Sequence, residues 1–169
     1  LKAHQNRHKL DLQVEEKGID GPVTRVDRYL EQLAIDTLRK SYKNHSFLGE
    51  EFGLQEGKGH DADWCWVIDP LDGTLNFIHG FPHFCISIAV KHKGITQHGV
   101  IYDPVKDELF SASRGRGAMM NQRRIRVNVK DSLDNTFLAV GHAYRNKRNG
   151  EVVSYAKNHF DSLLNVTEA

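Results

Sequence analysis

Residues 84 to 127 hold four apolar, strand-length runs in succession, with no helical pattern between them: "FCISIAVKH", "GITQHGVIYDP", "DELFSAS" and "GAMMNQRRIRV". The last reads as a hairpin turning at Asn121-Gln122. Strands joined this tightly have no room for crossover helices, so they pair antiparallel. Whatever else the chain does, it must build a sheet and find something to cover one of its faces.

The cover comes from the region before the strands. Val26, Leu30, Leu33, Ala34, Leu38 and Tyr42 recur at helical spacing, which predicts an amphipathic helix over 24–42. Thr24 followed by Asp27 resembles its N-cap with an acidic first turn. A short strand is expected at 45–48, stopping at Gly49, Glu50 and Glu51, and a polar loop, "FGLQEGKGHDAD", separates it from the apolar run "WCWVI". Beyond a Ser/Asp-rich connection at 131–135, "TFLAVG" reads as a strand and 151–164 as a helix. The fold class expected is α+β, a predominantly antiparallel sheet packed against helices, in one unit over 1–169.

Composition excludes several alternatives. A chain of 169 residues, 39% hydrophobic, can bury a core. Its net charge of +1 is that of an ordinary surface rather than of a nucleic-acid-binding tail. Cys65 and Cys85 lie in apolar runs without CxxC spacing and read as buried small hydrophobes of a reducing cytoplasm. No run reaches the roughly 20 apolar residues of a membrane helix. No signal peptide is visible, and a start at Leu1 suggests a processed or trimmed terminus.

The chemistry concentrates at two places, Glu50-Glu51 and Asp69-Asp72, each directly after a short apolar strand. If those strands are neighbours, the carboxylates meet, and carboxylates that close raise one another's pKa unless a cation lies between them. Magnesium suits such a donor set of carboxylates, carbonyl and waters. In "DPLDG" Pro70 fixes φ and removes a donor, bending the chain so that the Leu71 carbonyl could point between the aspartates. Gly73 and Thr74 can open a short helix whose first N–H groups bind phosphate. Carboxylates beside free amides suit metal-assisted phosphate ester hydrolysis, with Thr74 and Glu50 orienting a water and taking its proton. The competing reading is a plain β-turn, because Pro, Asp and Gly are ordinary turn residues and "GEE" is commonly a solvated loop.

"GEE" at 49–51 with "WVIDPLDGTLNFIHGFPHF" at 66–84 resembles the signature of the inositol monophosphatases, and the similarity extends through "GVIYDP", "ELFSASRGRGA" and "MNQRRIRV" over most of 17–150. It resembles the bacterial SuhB-type branch. The resemblance implies the sugar-phosphatase fold shared with fructose-1,6-bisphosphatases and nucleotide bisphosphate phosphatases. It implies magnesium-dependent, lithium-sensitive hydrolysis of inositol-1-phosphate, or of a sugar or nucleotide phosphate handled by those related enzymes. By the same resemblance Glu50, Asp69 and the Leu71 carbonyl would hold a first magnesium, and Asp69 with Asp72 a second. Gly73 and Thr74 would cradle phosphate, Thr74 with Glu50 would activate water, Asp27 would bond to Thr74, and Glu51 would steady the ligands. A homodimer is implied too. A function of another class, non-catalytic partnership with the transcription antitermination machinery, is compatible with the same residues.

The family's third motif, a Trp-Asp followed by small residues, has no counterpart, since the only tryptophans are Trp64 and Trp66 and the sequence stops at Ala169. The family's first helix is also mostly absent ahead of Leu1. The expectation is therefore an N-terminal metal-binding portion with weak or no activity by itself. Other motifs weigh less. His79 and His83 are separated by Gly80 and Pro82, which breaks a shared helix face, and "RGRG" at 114–117 reads as a tight strand connection. Arg123, Arg124 and Arg126 read as a charged hairpin edge that discourages edge pairing.

Overall fold

Two short strands, β1 (Glu15–Glu16) and β2 (Pro22–Val23), pair antiparallel ahead of helix α1 (Arg25–Ser41). The computed structural model describes residues 14–16 and 22–127, together with positions 129, 132, 137, 147–148 and 151–152. Contacts divide the chain into Leu1–Lys17 with Gly21–Val127, and Gly18–Asp20 with Asn128–Ala169.

Helix α1 begins in a capping box: Val26 N donates to Thr24 Oγ1 at 3.1 Å, and Thr24 N donates to Asp27 Oδ2 at 2.8 Å. Arg39 and Lys40 in its last turn face the negative end of the helix dipole. Its buried ridge differs from the predicted stripe. Asp27, Glu31 and Ile35 are the buried positions, while Leu33 is half-exposed. The ridge therefore starts with two carboxylates, which buried positions tolerate only when hydrogen-bonded.

The main sheet has eight strands in the order β10-β9-β8-β7-β6-β5-β3-β4. They are β3 (Ser46–Gly49), β4 (Gly53–Gln55), β5 (Trp64–Asp72), β6 (Cys85–His92), β7 (Ile95–Asp103), β8 (Glu108–Ser113), β9 (Gly117–Met120) and β10 (Arg123–Ile125), with helix α2 (Thr74–His79) between β5 and β6. From β5 to β10 the sheet is an antiparallel meander. Asn121 (φ 44) and Gln122 (φ 69) both take the left-handed conformation that suits a two-residue hairpin, and "RGRG" is the turn between β8 and β9. The exception is β3, which pairs parallel with β5, Gly49 opposite Ile68. The predicted polar loop supplies the return: its Gly53–Gln55 forms β4 and Gly59–Asp63 a 3₁₀ turn. Three residues are too few for any pattern to announce a strand.

Ile35, Phe47 and Ile68 form one core cluster between α1 and the sheet, flanked by Trp66, Ile88, Ala34 and Leu38. Leu71, Phe77 and Phe84 form another around α2, with the two rings edge-on at 5.4 Å. Cys65 and Cys85 are free and only half-buried, because both sit on strands with one partly open face. Among the described residues no helix is long and apolar enough to cross a membrane. In the second unit, Lys147–Arg148 (β11) pairs antiparallel with Glu151–Val152 (β12), so the first two positions of the helix predicted at 151–164 are strand. The rest of that helix, and the "TFLAVG" strand apart from Phe137, lie outside the described residues.

Candidate functional site

Asp69 and Asp72 stand three apart on one strand, a spacing that strict alternation would send to opposite faces. The strand breaks that alternation. Asp69 pairs with Ser87 and Asp72 with Cys85, so β5 spends three steps where β6 spends two. This is a β-bulge, and Pro70, which has no N–H to give a ladder, falls inside it. Because Cys85 and Ser87 share a face of β6, the bulge returns both aspartates to one face. The Cys85 thiol accordingly lies 3.7 Å from Asp72 Oδ2.

The parallel pairing of β3 supplies the next carboxylate. Glu50 follows Gly49, which is level with Ile68, and Glu50 N donates to Ile68 O at 3.3 Å. Glu50 thus leaves its strand at the same end as Asp69, and the two side chains hydrogen-bond. Burial first, and then the charge of Asp72, push the Asp69 carboxyl above its ordinary value, while the bonds to Glu50 and to the Leu71 amide oppose this. Two carboxyls in such contact hold either a proton or a cation between them.

Past the bulge the chain turns through Gly73, at φ 96, into α2. A Cβ at Gly73 would lie 2.9 Å from the His83 carbonyl, so this turn needs glycine for both conformation and space. No side chain caps the start of α2. Thr74 Oγ1 lies 2.9 Å from Asp27 Oδ1 and 3.0 Å from Leu71 O; its one hydrogen serves either acceptor at a time. Asp27, 2% exposed, also accepts from Thr24 N and Thr24 Oγ1. A cleft of about 430 Å³ opens beside Asp72 and Gly73, with Asn76, His83 and Lys106 among its walls.

Hence Asp27, Glu50, Asp69, Leu71, Asp72, Gly73 and Thr74 are brought to one end of β3 and β5. Among the described residues no three His, Cys, Asp or Glu side chains are gathered closely enough to hold a metal by themselves. The donor set still fits magnesium in kind, hard carboxylate and carbonyl oxygens with Glu50 and Asp69 in contact, since that ion retains several waters and needs few protein ligands. His79 ends α2 ahead of a left-handed Gly80 and shares no helix face with His83.

Residues 2–163 match the inositol monophosphatase family. The chain belongs to that family. A Pseudomonas aeruginosa protein named Nus factor SuhB is 49% identical over 156 residues, 92% of this chain and 57% of that protein. The solved extragenic suppressor protein suhB of Bartonella henselae is similar at 41% identity with a TM-score of 0.70, covering 78% of this chain and 52% of that one. A Thermotoga maritima IMPase is similar at 33% identity and a TM-score of 0.65, covering 78% and 51%. The fold is thus the α+β fold of the sugar phosphatases. The chain spans about half the length of the curated relatives it matches.

One residue beside this acidic cluster escaped the sequence reading. Glu31, with no exposed surface, accepts from Glu51 N at 2.8 Å and Phe52 N at 2.9 Å. Its only signal was position, one helical turn after Asp27.

Proposed function

We propose that this chain carries the metal- and phosphate-binding portion of a magnesium-dependent phosphomonoesterase acting on inositol-1-phosphate or a similar sugar or nucleotide phosphate. The observation that carries the reading is the parallel β3–β5 pair, which sets Glu50 against Asp69 while the bulge keeps Asp72 on the same face. Glu50, Asp69, Asp72 and the Leu71 carbonyl would hold the ion. Bound magnesium would supply positive charge against the phosphate and lower the pKa of water.

The chain's own residues do the rest. Thr74 commits its hydrogen to Asp27 or Leu71 O, so its remaining lone pair can accept from a water and fix the line of attack. Glu50, exposed and adjacent, is placed to take that water's proton. Gly73 brings the backbone to the phosphate without a side chain in the way. Glu51 would hold Glu50 and the ion's waters in place. Lithium inhibition, a homodimer and a cytoplasmic location belong to the same reading. The test is phosphate release from inositol-1-phosphate by this chain and by a version extended to the length of its relatives, with and without magnesium. Full activity in Asp69→Asn, or indifference to magnesium, would refute it.

A second reading is favoured by the Nus factor name of the similar Pseudomonas protein. The chain would then also partner the transcription antitermination machinery, without catalysis. Capture of RNA polymerase components that persists in Asp69→Asn separates the two roles; capture lost together with activity refutes their independence.

A further inference from the structure

A fully buried carboxylate is a costly thing to place on a helix ridge, several kcal/mol unless its oxygens are satisfied. The ridge that Glu31 occupies continues as Ile35, which packs among Phe47 and Ile68, so nothing in the packing asks for an acid at position 31. What Glu31 meets is backbone. Its Oε2 accepts from Glu51 N and its Oε1 from Phe52 N, the two amides that immediately follow Glu50. A side chain bonded to both neighbouring amides fixes the orientation of the peptide planes around Glu51, and with them the direction in which the Glu50 side chain departs.

Gly49 makes that reach possible. A Cβ there would stand 1.8 Å from Glu31 Oε1 and 2.2 Å from its Cδ. The glycine before the two glutamates is therefore the gap through which Glu31 passes. One turn earlier on α1, Asp27 holds Thr74 by accepting from its side-chain hydroxyl rather than from a backbone amide. Two carboxylates four residues apart on one helix thus grip the two turns that meet at the site: Asp27 the turn after β5, Glu31 the turn after β3.

We propose that Glu31 is a positioning residue for the acidic site, orienting Glu50 toward Asp69 through the Glu51 and Phe52 amides. This deepens the metal-dependent reading above and rests on it for its ligand. The test is Mn²⁺ uptake by the intact chain, followed through the free-ion EPR signal, in wild type, Glu31→Gln, Glu31→Asp and Ile35→Ala. Glu31→Gln preserves shape but turns an NH₂ toward one of the two amides; Glu31→Asp preserves charge but falls a methylene short. Both are expected to weaken Mn²⁺ binding tenfold or more. Ile35→Ala, a packing lesion on the same ridge, is expected to leave the affinity within twofold where the chain is folded. Affinity unchanged in a folded Glu31 variant, or lowered as much by Ile35→Ala, overturns the proposal. If the wild type itself takes up no Mn²⁺, the metal reading falls, and the NMR resonances of Glu50 and Asp69 decide the rest. Displaced in Glu31→Gln, they sustain positioning; unmoved, they overturn it.

Discussion

Gly49→Ala isolates the contact on which the turn after β3 depends. The added methyl would occupy the volume of the Glu31 carboxylate, 1.8 Å from Oε1, and no small torsional adjustment relieves an overlap with both oxygens and Cδ. Glu31 must withdraw, and its bonds to Glu51 N and Phe52 N go with it. Hydrogen bonds to a charged group contribute about 1.5–3 kcal/mol each, so the expected loss of stability from the two is about 3–6 kcal/mol. In a Glu31→Ala background the obstacle is already gone, and Gly49→Ala should cost less than about 1 kcal/mol. The assay is urea unfolding followed by the fluorescence of Trp64 and Trp66, both on β5 beside β3. An equal cost of Gly49→Ala in the two backgrounds would refute the claim that Glu31 is what requires the glycine.

Four other outcomes are expected. Thr74→Val should lower phosphatase activity of the extended protein by at least about 100-fold, as loss of an orienting group does, yet cost little stability, because Asp27 keeps both Thr24 bonds; a Thr74→Val enzyme of near-normal rate refutes this. Gly73→Ala, strained at φ 96 and crowded by the His83 carbonyl, should cost about 1–3 kcal/mol in the same urea assay. Burial, then the charge of Asp72, pushes the Cys85 thiol up to about 11, so alkylation at pH 8 should be far slower in the folded chain than in urea, and equal rates would count against it. Burial resists ionisation of Asp103, but Lys106 Nζ at 2.9 Å and the Lys106 and Val105 amides outweigh it and hold the carboxyl below its ordinary value. That stabilisation is complete above the unfolded carboxylate range near ~4 and is lost as pH falls through the folded value, so Asp103→Asn should flatten the acid limb of a stability–pH curve.

What could be read in advance was local. The Asn121-Gln122 hairpin, the cap at Thr24 and the strands of the meander are written in neighbouring residues, and so is the Asp-Pro-x-Asp-Gly-Thr run that ends β5. The side-by-side placement of β3 and β5 is not local: an apolar run carries no label for its partner, and here the partner is parallel inside an otherwise antiparallel sheet. Glu31 was hidden for a related reason. A glutamate on an amphipathic helix reads as solvent-facing, and only the tertiary contact with the Glu51 and Phe52 amides turns it inward. The bulge lay between these cases, since Pro70 announced a bend but not that the bend would restore the face shared by Asp69 and Asp72.

The short strand β4 has a consequence for how this protein can change length. Because β4 runs back along β3, with Gly49 opposite Gly53 and Phe47 opposite Gln55, the chain leaves the acidic end immediately and crosses to β5 at the opposite pole of the sheet. Gly57 and Lys58 are pinned there, bonded to Ser46 and Asn44. The following 3₁₀ turn around His60 and Asp61 is exposed. Extra residues inserted in that turn would lengthen a surface connection at about 0.6 kcal/mol per doubling, while Glu50 and Asp69 stay in register through the strands themselves. A fluorophore or affinity tag placed at this pole would report on the molecule from a strand's length away, without a hand on its chemistry.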